Sequence, residues 1–175
     1  MQLNEPALYI LAEVAITLAG FSGVVVAFRL RGARAWSPYE LRVLWFLLVD
    51  SFLVVLFALL PIPLSLAGWP HDAIWGIGGG LLGTYFLVAD GLAIRSEFRD
   101  RAAGTQIRVP VITPLLYVVI LSAIVMGVAL WLSAVDVLVP RGQAVYVLGL
   151  ILLLAFAAVE FLFFIALVTR EAREG

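Results

Sequence analysis

Apolar residues in this chain run in long blocks separated by short polar connections. Five blocks stand out, over about residues 7–28, 38–66, 73–94, 110–135 and 144–170. Crossing about 30 Å of hydrocarbon takes roughly 20 residues of α-helix, and each block reaches that length. The pattern predicts an all-α integral membrane protein with five transmembrane helices. Because the connections are short, residues 1–175 are expected to form a single transmembrane domain with no separate soluble module. The first block reads as a retained helix rather than a cleavable signal. Its leader, MQLNEP, carries an acid and no base, whereas a signal peptide starts positive and has a shorter apolar run.

The polar positions between the blocks predict the orientation. Arg29, Arg31, Arg34 and Arg42 flank the first connection, Arg95, Arg99, Arg101 and Arg108 the third, and Arg170 and Arg173 the tail. The opposite side receives Arg141 alone. Positive loops stay on the cytoplasmic side, so the N-terminus is expected outside and the C-terminus in the cytoplasm. The natural location is a cell membrane, multi-pass, of the bacterial inner-membrane type.

Local signals mark the block ends. SPYE reads as a capping box, with Ser37 as N-cap, Pro38 at the first helical position and Glu40 reaching back. Asp72 is placed to cap the third helix, and either Pro110 or Thr113–Pro114 to open the fourth. Pro61 and Pro63 end or kink the second. Trp69, Trp75 and Trp131 fall near the outer interface, where indole rings anchor helices.

Composition removes several function classes. The chain is 64% hydrophobic and 13% charged, whereas soluble domains are nearer half apolar and a quarter charged. With no cysteine, disulfides, thiolate metal sites and thiol chemistry are excluded. All eleven basic residues are arginine, so no lysine is present to hold retinal. The net charge of −1 with no basic block gives no footprint for nucleic acid. The one histidine, His71, sits in an outer loop, which leaves no multi-histidine metal or haem site and no histidine-based intramembrane triad.

Inside the blocks lie four acids, Glu13, Asp50, Asp90 and Glu160, and no base. At about 1.5 Å per residue, Asp50 lies about 12 Å beyond Arg42, and Glu160 about 15 Å before Arg170. Both are therefore expected near the midplane. By the same measure Asp90 is about 8 Å from Arg95, and Glu13 lies in the outer third. A charged acid at the bilayer centre costs on the order of 2.5–3.5 kcal/mol, so intramembrane acids call for a reason. They can line an ion or proton path, or they can brace helices through hydrogen bonds. For Asp90 an ion pair with Arg42 or Arg95 is the structural reading, and for Glu13 a bond with Thr17 one turn on.

Small residues recur at helical spacing. Ala15, Ala19, Gly23 and Ala27 form one stripe, and Gly76, Gly79, Gly80 and Gly83 another. Such stripes let helices approach closely within a chain or between subunits. Gly76, Gly79, Gly83 and Asp90 share one helical face, as do Glu13 and Gly20. Phe156, Phe163 and Phe164 surround Glu160 on the last helix.

Two family patterns are tested by particular positions. DGLAIRSEFRDRAAG matches the motif of the CDP-alcohol phosphotransferases at Asp90, Gly91, Arg95 and Gly104. The other three metal-holding aspartates of that motif are replaced by Leu87, Arg108 and Ile112, so the match carries no activity. Five spans and five tryptophans are similar in number to the tryptophan-rich sensory (translocator) proteins, but their proline–tryptophan signature is absent.

Together these features favour a small homo-oligomer in the lipid bilayer that conducts or transports protons or small cations. Asp50 and Glu160 would form its midplane site, Glu13 an outer entry and Asp90 an inner exit. The alternative is a membrane scaffold, sensor or accessory subunit whose acids only brace helices. Neither reading requires a cofactor, a resident metal or catalysis.

Overall fold

The computed structural model describes residues 5–30, 36, 38–102, 112–137 and 142–174. Among these residues the chain is helical and contains no strand. Six helices follow in order: α1 (Glu5–Leu30), α2 (Pro38–Leu59), α3 (Pro61–Leu66), α4 (His71–Ala102), α5 (Ile112–Ala134) and α6 (Gly142–Glu174). Five segments are long and apolar enough to cross a membrane: Pro6–Ala27, Glu40–Leu66, His71–Ser96, Tyr117–Ala134 and Gly142–Ala166. They coincide with the five apolar blocks. The second block is broken after Leu59, for a local reason. Leu60 still donates its N–H to the Leu56 carbonyl (2.9 Å), but Pro61 has no N–H to continue the ladder. Proline is instead well suited to open a helix, and α3 starts on it. Ser37, expected to cap α2, lies outside the described residues, as do Pro110, Arg141 and the arginines at 31, 34 and 108.

The chain divides into two compact units, residues 1–63 with 150–175, and residues 64–149. In the first unit α1 packs on α2. Leu8, Ala12 and Ala15 of α1, Leu47, Val54 and Ala58 of α2, and Leu153, Ala157 and Phe164 of α6 are buried. Their spacings of three, four and seven place each set on one helical face. Phe164 stacks on Trp36, with ring centroids 6.1 Å apart and planes 5° from parallel. The small-residue stripe of α1 is only partly used within the chain. Ala15 is buried and Ala19 half-buried, whereas Gly23 and Ala27 are exposed.

In the second unit α4 packs on α5, and the contact is closest at Gly83. A Cβ there would meet the Gly127 carbonyl oxygen at 3.0 Å, and a Cβ on Gly127 would meet the Gly83 carbonyl at 3.2 Å. The two backbones come close, and a methyl group on either side would have to push them apart by a few tenths of an ångström. Gly79 faces Leu130 with more room, its hypothetical Cβ lying 3.6 Å from the Leu130 carbonyl. Tyr146 of α6 is fully buried and meets Trp75 edge-on at 5.4 Å. Trp75 is therefore a core residue, not the exposed interface anchor expected for it. Its indole N–H lies 3.1 Å from Nε2 of His71. Trp69 and Trp131 do remain exposed.

Two helix ends share one motif. After α3, Gly68 N donates to Ser65 O (3.0 Å) and Trp69 N to Leu64 O (3.2 Å), with Gly68 at φ 76°. After α5, Asp136 N donates to Ser133 O (3.2 Å) and Val137 N to Leu132 O (2.9 Å), with Asp136 at φ 63°. Both are Schellman caps, in which a left-handed residue lets the chain satisfy the last helical carbonyls. Asp72, expected as a cap, instead sits in the first turn of α4. Pro70 lies ahead of it and accepts the first bond, from Ile74 N (3.1 Å).

Two stability predictions follow from these contacts. Asp136→Gly removes the left-handed penalty and should stabilise the purified protein by about 1 kcal/mol, whereas Asp136→Val should destabilise it. Thermal unfolding in detergent measures both. Gly83→Ala forces a backbone contact apart and should cost about 1–3 kcal/mol, while Gly79→Ala should cost far less. Equal melting of the two alanine variants would contradict the close-approach argument.

Candidate functional site

Asp50 lies on the core-facing side of α2. Glu40, Leu47, Asp50, Ser51, Val54 and Ala58 are all buried, and their spacings place them on one helical face. The same apolar periodicity that packs α2 therefore carries Asp50 inside, where it is 6% exposed. On α6 the buried positions Leu153, Ala157 and Phe164 bracket Glu160, which falls on the same face. Glu160 is half-buried as a residue, but its Oε2 is shut off from the surface and finds no hydrogen-bond partner. The Asp50 carboxyl is the charged neighbour that acts on Glu160. Ser51, next to Asp50, has a buried hydroxyl oxygen without a hydrogen-bond partner.

Two of the four acids thus lie in the same unit, near enough for one charge to act on the other. Glu13 is exposed on α1, and Thr17 does not serve its side chain: the Thr17 hydroxyl donates to the Glu13 backbone carbonyl at 2.8 Å. Asp90, on α4 in the second unit, is 7% exposed, and its Oδ2 is buried without a hydrogen-bond partner. Arg95, five residues on, is exposed, and among the described residues no ion pair joins it to Asp90. The ion-pair reading of Asp90 therefore has no support from Arg95.

Sequence reasoning missed a further buried acid. Glu40, expected to reach back in the capping box, is 1% exposed. The signal was present in the spacing, because Glu40, Leu47 and Val54 are seven residues apart in succession and so share a face. It also missed the Trp36–Phe164 stack, since Trp36 lies outside every apolar block. Phe164 is one helical turn beyond Glu160, which sets this stack beside the carboxyl pair along α6.

The pair offers two oxygens-bearing groups in an apolar setting and little else. Among the described residues no group of three potential metal ligands assembles. Two neighbouring carboxyls can share a proton, because each one's negative charge favours the proton on the other. They can also present a small cation with oxygen ligands. Compared with known protein families, with characterised proteins and with solved structures, the chain matches none.

If the two carboxyls act on one another, their substitutions must not be additive. A double-mutant cycle on thermal stability with Asp50→Asn and Glu160→Gln should give a coupling of about 0.5–3 kcal/mol. Strict additivity would place the two groups out of reach of each other.

Proposed function

We propose that this protein conducts or transports protons or small cations across a membrane through the Asp50–Glu160 pair. The observation that supports the reading is that two acids, one on α2 and one on α6, lie in one unit within reach of each other's charge, inside segments long and apolar enough to span a bilayer. An acid at that depth is costly, and two side by side are costlier still, unless a proton or cation lies between them. The unpartnered Oε2 of Glu160 leaves an acceptor free for such an ion.

In this reading the N-terminus is outside and the C-terminus cytoplasmic, supported by ten arginines on one side of the predicted spans against one on the other. The membrane is of the bacterial inner-membrane type. Glu13 serves the outer end and Asp90 the inner end. Glu13 is exposed on α1, so its part requires a neighbouring copy, consistent with a homo-oligomer built on the open Gly23 and Ala27 positions. The contrasting reading is a scaffold or accessory subunit in which the pair only braces α2 against α6.

Reconstitution into liposomes separates the two. Wild type should dissipate an imposed pH or cation gradient, and Asp50→Asn and Glu160→Gln should reduce that flux by at least about tenfold. Folding must remain intact by circular dichroism for the comparison to count. Equal flux in all three proteins, or none in any, sinks the transport reading. Loss of thermal stability or assembly without any wild-type flux would favour the scaffold.

A further inference from the structure

A bound proton and a bound metal ion make different demands on the residues around them. A proton needs one oxygen with a free lone pair. Ca2+ needs about six to eight oxygens, and Mg2+ a near-octahedral set, drawn from carboxylates, carbonyls and waters. Many transporters that carry Na+ obtain such oxygens from helices that break at the site and release their backbone carbonyls.

Neither helix that carries the pair breaks. α2 runs from Pro38 to Leu59 through Asp50, and α6 from Gly142 to Glu174 through Glu160. The carbonyls beside both acids therefore stay committed to N–H groups of their own helix. Side chains add few oxygens beyond the two carboxyls. Ser51, next to Asp50, is wholly buried with its hydroxyl oxygen unpartnered, and among the described residues no third acid or histidine joins the pair. That set falls short of a metal ion's coordination shell. It suffices for a proton, because Oε2 of Glu160 is enclosed and unpartnered, and a neighbouring negative carboxyl favours the proton on it.

Asp90 is an independent observation with the same meaning. It is 7% exposed on α4, which also runs unbroken, from His71 to Ala102. Its Oδ2 is buried without a hydrogen-bond partner, and among the described residues it belongs to no group of three potential metal ligands. A lone enclosed carboxyl can hold a proton but cannot build a metal ion's shell. The same chemistry recurs at two places in the chain, one in each unit.

We propose that the ion this protein takes up is the proton, and that Oε2 of Glu160 and Oδ2 of Asp90 are the atoms that bind it. An O–H bond forms on a carboxylate, which becomes a neutral acid, and breaks again when the proton returns to water; no other bond changes. Neutralisation removes the charge that hydrocarbon opposes, with none of the further ligands a metal ion requires. That the proton crosses the membrane rests on the transport reading, whereas its binding at these atoms does not.

Dicyclohexylcarbodiimide reads the binding atoms in the full-length wild-type protein in detergent. A protonated carboxyl adds across its C=N bond and rearranges to a stable N-acylurea, which peptide mass spectrometry locates. Glu160 and Asp90 should be modified, and excess Na+, K+ or Ca2+ should leave the yield unchanged. Protection of either acid by any of these ions, or an unmodified Glu160, overturns the proposal. Liposomes then separate it from the transport reading. Under a K+ potential set with valinomycin, wild type should acidify entrapped pyranine, and Glu160→Gln should slow this by at least about tenfold. Uptake of radioactive Na+ and Ca2+ should match that of protein-free liposomes. Metal-ion uptake that is lost in Glu160→Gln overturns the proton proposal and leaves transport standing. Modification without protection, together with no flux of any ion, supports the proton sites and sinks transport. The labelling uses wild type, so it decides the proposal even if Glu160→Gln fails to fold.

Discussion

Hydrocarbon offers no hydrogen bonds, and the five segments long and apolar enough to cross a bilayer are built as that constraint requires. A backbone in such a medium must close its own N–H and C=O groups within each segment, which leaves the α-helix as the solution for an isolated span. Where a residue breaks the rule, the fold changes at that residue. Pro61 cannot donate, so the second apolar block becomes α2 and α3 instead of one helix. Where α3 and α5 end, Gly68 and Asp136 turn left-handed so that the last carbonyls are still met.

The same constraint makes three buried polar side chains, those that keep an unpartnered oxygen among the described residues, informative. Ser51, Asp90 and Glu160 each keep a buried oxygen without a hydrogen-bond partner. In an interior such groups normally cost about 1–3 kcal/mol apiece, and native proteins keep few of them. Two of the three lie in or beside the Asp50–Glu160 pair. A site that takes up and releases a proton or cation has to keep an oxygen uncommitted, whereas a bracing hydrogen bond would use it. That difference is the ground on which the proposal of an ion site at Glu160 rests.

Close packing divides the glycines of α4 into two kinds. Gly83 is held to glycine by the Gly127 backbone, a contact that positions α4 against α5. Gly76 and Gly80 are not so held, since a Cβ on either would make ordinary contact with Ala134, and both line a groove beside α5. One run of small residues thus serves both a helix contact and a concave surface. Spacing in the sequence cannot separate these roles, because GxxxG records which face is small and not what lies against it.

Length and hydropathy alone determined the helical class and the five long apolar segments, since about 20 apolar residues have few other ways to exist. Arginine placement suggested an orientation, and the depth estimate put Asp50 level with Glu160. Both came from one-dimensional quantities, rise per residue and charge along the chain, which survive without knowledge of neighbours. Rotation about the helix axis was decided elsewhere. Burial of Glu40, exposure of Glu13, the inward turn of Trp75 onto Tyr146 and the partner of Gly83 depend on which helix packs on which face. All-round apolar helices carry little of that information, because lipid-facing and protein-facing positions are equally hydrophobic. The sequence set the depth of each acid, and only the tertiary structure decided which way it points.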